Sequence, residues 1–313
     1  MRFIRSPRGK LVLNLSAGAL AVGISVLAAR HFAEVGWPLR NASIPLVAAA
    51  GSLFLLSYAF KAYGWQRLFA PHARPRPLTL AASCGAASVT GAALPGRVDD
   101  LVRVAIVRRY AGCEAGVATV CLSLFMLGLI DTAALLPLAS TAAATSDTST
   151  AVRAAMGVVA FAGLGAAVVV GVLPRLTASG RLIRFRLARW LSQRSVCPRD
   201  AWKAWVLVLA SWLTRAFGLF VLLAALGFEV SLPVAIAFLC AAAACGALPI
   251  TPAGAATQAG AGAAILMATG IGAAQAISFA VAAQALVILA GAAVLLLAAL
   301  WHGGSRLALA RIP

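Results

Sequence analysis

Long apolar stretches separated by short charged segments run through the 313-residue chain. Six of these stretches contain about twenty residues with few charges, the length at which a helix crosses roughly 30 Å of hydrocarbon. The spans predicted in this way are 11–29, 43–60, 115–138, 154–173, 204–226 and 275–300. The pattern therefore predicts an all-α polytopic membrane protein with about six spanning helices.

Two further apolar stretches contain helix breakers. Residues 77–110 break at Pro95-Gly96, and residues 232–270 break within the sequence ALPITPAG. Because hydrocarbon satisfies no free backbone group, such breaks must face protein or a water-filled cavity. Basic residues on both flanks of 77–110 predict a re-entrant hairpin there, since a full crossing would put one basic flank outside. For 232–270 a re-entrant hairpin and two short spans both fit the pattern.

The order span, span, broken hairpin, span occurs twice, in residues 1–150 and in residues 151–313. The first copy starts on one face of the membrane and the second on the other, as in the inverted-topology repeats of many secondary transporters. Pro95 and Pro249 lie 154 positions apart. We therefore predict two inverted halves whose breaks face a central cavity, with chance similarity in an alanine-rich chain as the alternative.

Composition excludes an ordinary soluble domain, because 62% of the residues are hydrophobic and the mean hydropathy is +0.96. The net charge of +18 lies mostly between the spans, so we expect anionic phospholipids at the cytoplasmic face as partners and no nucleic acid. Basic side chains crowd segment 174–203 and are missing from 139–150. This asymmetry predicts a multi-pass protein of the plasma (inner) membrane with both termini in the cytoplasm.

Residues with metal-binding or catalytic chemistry are scattered along the chain. The six cysteines form no CxxC motif, and the three histidines lie at span ends or in loops. We expect no metal, no cofactor and no enzymatic activity. Because no ATP-binding motif is present, any transport would be driven by a gradient, by a partner, or not at all.

Charged and polar residues around the two breaks are the predicted binding site. At the first break, Asp99 and Asp100 are at pairing distance from Arg103 on a helix. The segment is therefore either a self-neutralised helix start or an anion site in which Arg97 and Arg103 hold a headgroup while Asp100 orients Arg103. The predicted substrate-binding residues are Pro95, Gly96, Arg97, Asp100 and Arg103 at the first break and Pro249, Thr251, Pro252, Gly254, Thr257 and Gln258 at the second.

Two ionisable residues fall inside predicted spans, where charge is costly and usually faces the interior of the bundle. Asp131 lies in 115–138 and Arg215 in 204–226. We expect them to form an intramembrane ion pair, with proton uptake by Asp131 during transport as the alternative. The neighbouring aromatic residues are interpreted as interface anchors: Tyr58, Tyr63, Trp65 and Trp212.

The breaks carry a family resemblance. LPGRVDDLVRVAIVRR (94–109), LPITPAGAATQAG (248–260) and WQRLF (65–69) make the chain resemble the lysylphosphatidylglycerol synthase transmembrane-region family, which is also described as flippase-like. The resemblance implies a polytopic protein that moves or handles lipids. Asp99 stands where a glycine is usual, and the usual acidic residue of the second motif is missing near Gln258. The chain ends without an aminoacyl-transferase domain, so we expect no lysyl-lipid synthesis.

Three functions fit these patterns. The first is a flippase-like transporter that moves a lipid with an anionic or phosphate-bearing headgroup between leaflets. The second is a membrane component of a hopanoid or polyprenyl-linked lipid synthesis pathway, with Asp99 or Asp100 as base. The third is a scaffold that docks a lipid-synthesis enzyme as its partner on the basic amphipathic part of 174–203. Transport of a membrane lipid is the favoured hypothesis.

Overall fold

The computed structural model describes residues 42–93, 98–110, 116–145, 149–178, 197–228, 231–247 and 254–309. Throughout these residues the ordered elements are α-helices, apart from a short 3-10 turn at Pro71–Ala73. The helices are α1 (Ile44–Gln66), α2 (Pro77–Ala93), α3 (Val98–Tyr110), α4 (Val117–Thr145), α5 (Thr150–Ala178), α6 (Pro198–Ala225), α7 (Leu232–Ala247), α8 (Gly254–Ala268) and α9 (Ala273–Leu309). The all-α fold class is confirmed.

Four segments that carry predictions lie outside the described residues. They are the predicted first span at 11–29, the two breaks at 94–97 and 248–253, and the amphipathic segment RLIRFRLARWL at 181–191.

Five of the described helices, α1, α4, α5, α6 and α9, are long and apolar enough to cross a membrane. They correspond to five of the six predicted spans, and each is longer than its prediction. The largest consequence is at α1, which continues from the predicted end at residue 60 to Gln66. Prolines near the start of α1 and α6 need no helical hydrogen-bond partner and favour these helix starts.

Large apolar side chains on the outer helices are exposed. Phe161 on α5 has 78% of its surface exposed, and Leu300 on α9 has 73%. Val158 and Leu296 continue the same exposed apolar surface. Such faces are stable against lipid tails and unfavourable in water, so they mark the sides of the bundle that contact the bilayer.

Each proline-broken stretch folds into two short helices that pack side by side. In the first pair, a Cβ placed on Gly91 of α2 would lie 3.6 Å from Asp99 Cβ of α3. In the second pair, Gly262 of α8 accommodates the ring of Phe238 of α7. The 13 residues of α3 reach about 20 Å, too short to cross hydrocarbon alone. Both stretches therefore have the folded-back arrangement that a hairpin needs, and their re-entrant position stays a prediction.

Helices α1 and α6 cross closely at the centre of the bundle. A Cβ on Gly64 would lie 3.2 Å from the carbonyl oxygen of Ala204, and one on Gly218 would lie 3.5 Å from that of Ala50. Between these two points, Ser211 Oγ donates a hydrogen bond to the Ser57 carbonyl at 2.8 Å. Small residues permit this approach, and packing at short range replaces the hydrophobic effect inside a membrane.

Helix α9 packs against the first hairpin. Gly85 of α2 meets the backbone of Gly291 so closely that no side chain fits between them. The hairpin is thereby held beside α1, because Tyr58 of α1 reaches the same contact with its hydroxyl group, 3.0 Å from a Cβ placed on Gly291.

Candidate functional site

An ion pair connects two spanning helices. Lys61 Nζ of α1 lies 2.8 Å from Asp131 Oδ2 of α4, and the side chains are only 12% and 21% exposed. The expectation that Asp131 pairs with Arg215 is therefore wrong. The predicted span ends at residue 60, one residue before Lys61. The continuation of α1 brings this lysine into the bundle.

Trp212 of α6 completes the environment of Asp131. Its indole Nε1 donates a hydrogen bond to Asp131 Oδ1 at 3.1 Å, so each carboxylate oxygen has a partner. The Lys61 ammonium also lies 5.4 Å from the centre of the Trp212 ring, within range of a cation–π interaction. Three helices are thus joined by one charged group that is neutralised and hydrogen-bonded.

Arg215 of α6 has a different environment. Its Nε donates a hydrogen bond to Ser57 Oγ at 3.1 Å, and its guanidinium carbon lies 5.4 Å from the Tyr58 ring and 5.5 Å from the Trp212 ring. No described carboxylate forms an ion pair with it. Arg215 is therefore a cation held by aromatic faces and a hydroxyl group, with its positive charge not cancelled by a described acidic neighbour.

Tyr58 is fixed at both of its ends. Its ring faces Arg215, and its hydroxyl oxygen lies 2.7 Å from Ser88 Oγ of α2 and 3.2 Å from the Val287 carbonyl of α9. Only 1% of the residue is exposed. The interpretation of Tyr58 as an interface anchor is wrong, because its polar end binds protein and not the headgroup region.

The other aromatic residues near the site differ among themselves. Trp65 is fully buried and donates its indole hydrogen bond to Ser123 Oγ at 3.0 Å, so it too serves the interior of the bundle. Trp212 binds Asp131 as described above. Tyr63, in contrast, is 49% exposed, as an interface residue would be.

Arg103 of α3 is neutralised by its own helix. It lies 3.2 Å from Asp100 Oδ1 and 3.7 Å from Asp99 Oδ2. Its Nε is buried and has no hydrogen-bond partner among the described residues. The geometry agrees with the self-neutralised helix start and with Asp100 orienting Arg103. The Nε of Arg103 remains a buried donor with no described acceptor.

The remaining predicted site residues are only partly described. Gln258 is half-buried and its side chain packs on Gly246, where the two helices of the second hairpin meet at their broken ends. Thr257 is half-buried beside it, and Gly254 is the first residue of α8. The predicted site residues that lie outside the described part of the chain are Pro95, Gly96, Arg97, Pro249, Thr251 and Pro252.

Four residues that contact Asp131 or Arg215 are not among the predicted site residues: Ser57, Tyr58, Lys61 and Trp212. A signal for them exists in the sequence. Lys61 lies 154 positions before Arg215, and Tyr58 lies 154 positions before Trp212, the same spacing that separates Pro95 from Pro249. Comparing the two halves at this spacing identifies Lys61 as the counterpart of an intramembrane arginine.

The chain was compared with protein families, curated proteins and solved structures. A family model described as "Lysylphosphatidylglycerol synthase TM region" matches residues 12–295. No curated protein and no solved structure matches the chain. The family match includes both broken hairpins and all five long described helices, apart from the end of α9. The chain therefore belongs to the lysylphosphatidylglycerol synthase transmembrane-region family, a membrane protein family associated with lipid-related processes.

Proposed function

We propose that this protein is a flippase-like transporter that moves a lipid with an anionic or phosphate-bearing headgroup between the two leaflets. The observation that carries the proposal is the charged cluster of Lys61, Asp131 and Arg215 between spanning helices. Charged side chains inside spanning segments are costly, and they characteristically mark substrate or ion pathways. The family association with lipid-related processes supports a lipid as the substrate.

The two broken hairpins add a second line of support. Broken helices in the two halves of a transporter typically lie at its binding site, because their free backbone groups need a polar environment. The first hairpin carries Arg103, a half-buried cation whose Nε has no hydrogen-bond partner among the described residues. In this proposal a lipid headgroup passes between the hairpins and the charged cluster, while the lipid tails stay in the bilayer.

Transport is tested by reconstituting the full chain in phosphatidylcholine vesicles that contain a trace of fluorophore-labelled phosphatidylglycerol. A membrane-impermeant quencher removes fluorescence from the outer leaflet, and further loss reports lipid arriving from the inner leaflet. We expect faster loss than in protein-free vesicles, and faster loss for labelled phosphatidylglycerol than for labelled phosphatidylcholine. Equal rates with and without protein for both labels would contradict the proposal.

A substitution pair assigns the activity to the first hairpin. Arg103→Ala removes the half-buried arginine that pairs with Asp100, while Arg108→Ala removes an exposed arginine from the same helix. We expect transport to fall strongly in Arg103→Ala and to stay near the parent rate in Arg108→Ala. If both variants transport lipid at the parent rate, and deletion of 179–196 abolishes recruitment of a partner enzyme to the membrane, the scaffold hypothesis is favoured.

A further inference from the structure

The described helices form two series with a nearly constant offset. Helices α1, α2, α3 and α4 begin 154, 155, 156 and 156 residues before α6, α7, α8 and α9, respectively. The drift of two residues accumulates in the connections between helices. The predicted repeat begins with one more span in each half, and the span predicted for the first half, 11–29, lies outside the described residues.

The same offset relates contacts in three dimensions. Gly64 approaches Ala204, and 154 residues on, Gly218 approaches Ala50. In the first contact the glycine belongs to α1 and the alanine to α6, and in the second contact the two helices have exchanged these roles. A two-fold axis between α1 and α6 requires this exchange. Sequence spacing alone does not produce this reciprocal pattern, because each contact joins residues from different halves.

The charged cluster obeys the same relation. Lys61 lies 5.4 Å from the Trp212 ring, and the equivalent cation Arg215 lies 5.4 Å from the Tyr58 ring. Trp212 donates a hydrogen bond to Asp131, and the equivalent hydroxyl group of Tyr58 lies 3.2 Å from the carbonyl oxygen of Val287. Val287 follows Asp131 by 156 residues, the offset between α4 and α9.

One feature breaks the symmetry. The first half places a carboxylate, Asp131, beside its intramembrane cation, whereas the second half places Val287 at the equivalent position. Helix α9 contains no acidic residue, and Glu229 is the sole acidic residue after Asp200 in the sequence. The second half therefore has an equivalent cation, Arg215, packed against the rings of Tyr58 and Trp212. It lacks an equivalent of the carboxylate of Asp131, which neutralises Lys61 in the first half.

We propose that Arg215 binds the phosphate oxyanion of a lipid headgroup, which takes the place that a carboxylate occupies in the first half. Arginine presents a planar fork of donors that matches phosphate. Among the described residues, Arg215 donates a hydrogen bond through its Nε alone, to Ser57. Tyr58 and Trp212 hold the guanidinium plane in place. The inference rests on the proposed function in that the anion is carried by a lipid.

Binding is measured on the purified full chain in a neutral detergent, so that it does not depend on transport. The probes are dihexanoyl phosphatidylglycerol, which carries one phosphodiester and is water-soluble, and inorganic phosphate. The variant Arg215→Gln removes the charge and retains hydrogen-bonding groups. Arg199→Gln is the matched control, because Arg199 is an exposed arginine on the same helix, about 24 Å away along its axis.

For dihexanoyl phosphatidylglycerol we expect a dissociation constant about tenfold or more higher in Arg215→Gln and unchanged in Arg199→Gln. Arg215→Lys keeps the charge without the fork, and we expect an intermediate value. It also separates loss of binding from loss of folding, since its cation still faces Tyr58 and Trp212. Equal affinity in the parent, Arg215→Gln and Arg215→Lys would overturn the proposal, as would equal weakening by Arg199→Gln.

The two probes distinguish the source of the anion. Tighter binding of the short-chain lipid than of inorganic phosphate, with both dependent on Arg215, identifies a lipid headgroup. Comparable binding of both identifies a free phosphate and overturns the lipid assignment. If the protein binds the lipid through Arg215 but moves no lipid in vesicles, the binding site is supported and the transport proposal is contradicted. If Arg215→Gln transports phosphatidylglycerol at the normal rate, the proposed binding site at Arg215 is contradicted and the transport proposal is not.

Discussion

Lys61 and Asp131 form an ion pair across the bundle, with Nζ and Oδ2 separated by 2.8 Å, while the equivalent cation Arg215 has no described acidic partner. Removing the carboxylate leaves Lys61 charged in a poorly hydrated place. We expect Asp131→Asn to lower the free energy of unfolding by about 2 to 4 kcal/mol, since fully buried pairs lose about 3 to 5 kcal/mol and this pair is slightly exposed. Thermal unfolding in detergent measures the effect.

Two controls accompany Asp131→Asn. Asp200→Asn breaks the more exposed Arg74–Asp200 pair, whose atoms are 3.2 Å apart, and we expect a loss of about 1 kcal/mol or less. The double variant Lys61→Met, Asp131→Leu removes both charges, and its stability should recover toward that of the parent. An Asp131→Asn variant as stable as the parent would show that the pair contributes nothing to folding.

The asymmetry between the two halves predicts the effect of restoring a carboxylate. Val287→Asp places an acidic group at the position equivalent to Asp131, where we expect it to pair with Arg215. Affinity for dihexanoyl phosphatidylglycerol should then fall about tenfold, because the new carboxylate competes with the phosphate for the same donors. Val287→Asn is the isosteric neutral control and should bind almost as the parent does. Equal affinities for the Asp and Asn variants would argue against the equivalence of Asp131 and Val287.

Glycine positions in the spans should differ in their response to alanine. A Cβ on Gly64 meets Val208 Cγ2 at 3.0 Å, one on Gly218 meets its nearest neighbour at an ordinary 3.4 Å, and one on Gly157 of α5 meets nothing within 4 Å. Overpacking costs about 1 to 3 kcal/mol, while replacing a helical glycine by alanine contributes up to about 1 kcal/mol. We therefore expect stability to rise in Gly157→Ala, stay near neutral in Gly218→Ala and fall in Gly64→Ala. Detergent unfolding curves of the three variants test this order, and a stabilised Gly64→Ala would contradict the close crossing of α1 and α6.

The hydroxyl group and the ring of Tyr58 should have separable roles. Tyr58→Phe loses the contacts with Ser88 and Val287 but keeps the ring that faces Arg215. We expect a stability loss of about 1 kcal/mol, the net contribution of a typical hydrogen bond, with little change in phosphate-lipid affinity. Tyr58→Leu also removes the ring and should weaken binding further. If Tyr58→Phe and Tyr58→Leu bind the phosphate lipid with equal affinity, the ring of Tyr58 does not position Arg215.

Much of the architecture could be predicted from local pattern. The five described spans and both folded-back stretches follow from apolar length and from proline, because hydrocarbon thickness and backbone hydrogen bonding constrain those features directly. The pairing of Arg103 with Asp100 was also predictable, since residues three apart on a helix are neighbours. In contrast, the prediction that Asp131 pairs with Arg215 failed, because two residues 84 positions apart on different helices have no fixed register.

The sequence by itself determined that this is a helical membrane protein, and it predicted two similar series of helices with a break and charges in each. Composition, length and periodicity suffice for this, because they act within one helix. Which charge meets which was decided only by the tertiary structure. The close crossing of α1 and α6 at Gly64 and Gly218 places Lys61 against Asp131 and leaves Arg215 between two aromatic rings. Those contacts depend on the depth and rotation of packed helices, which no single segment specifies.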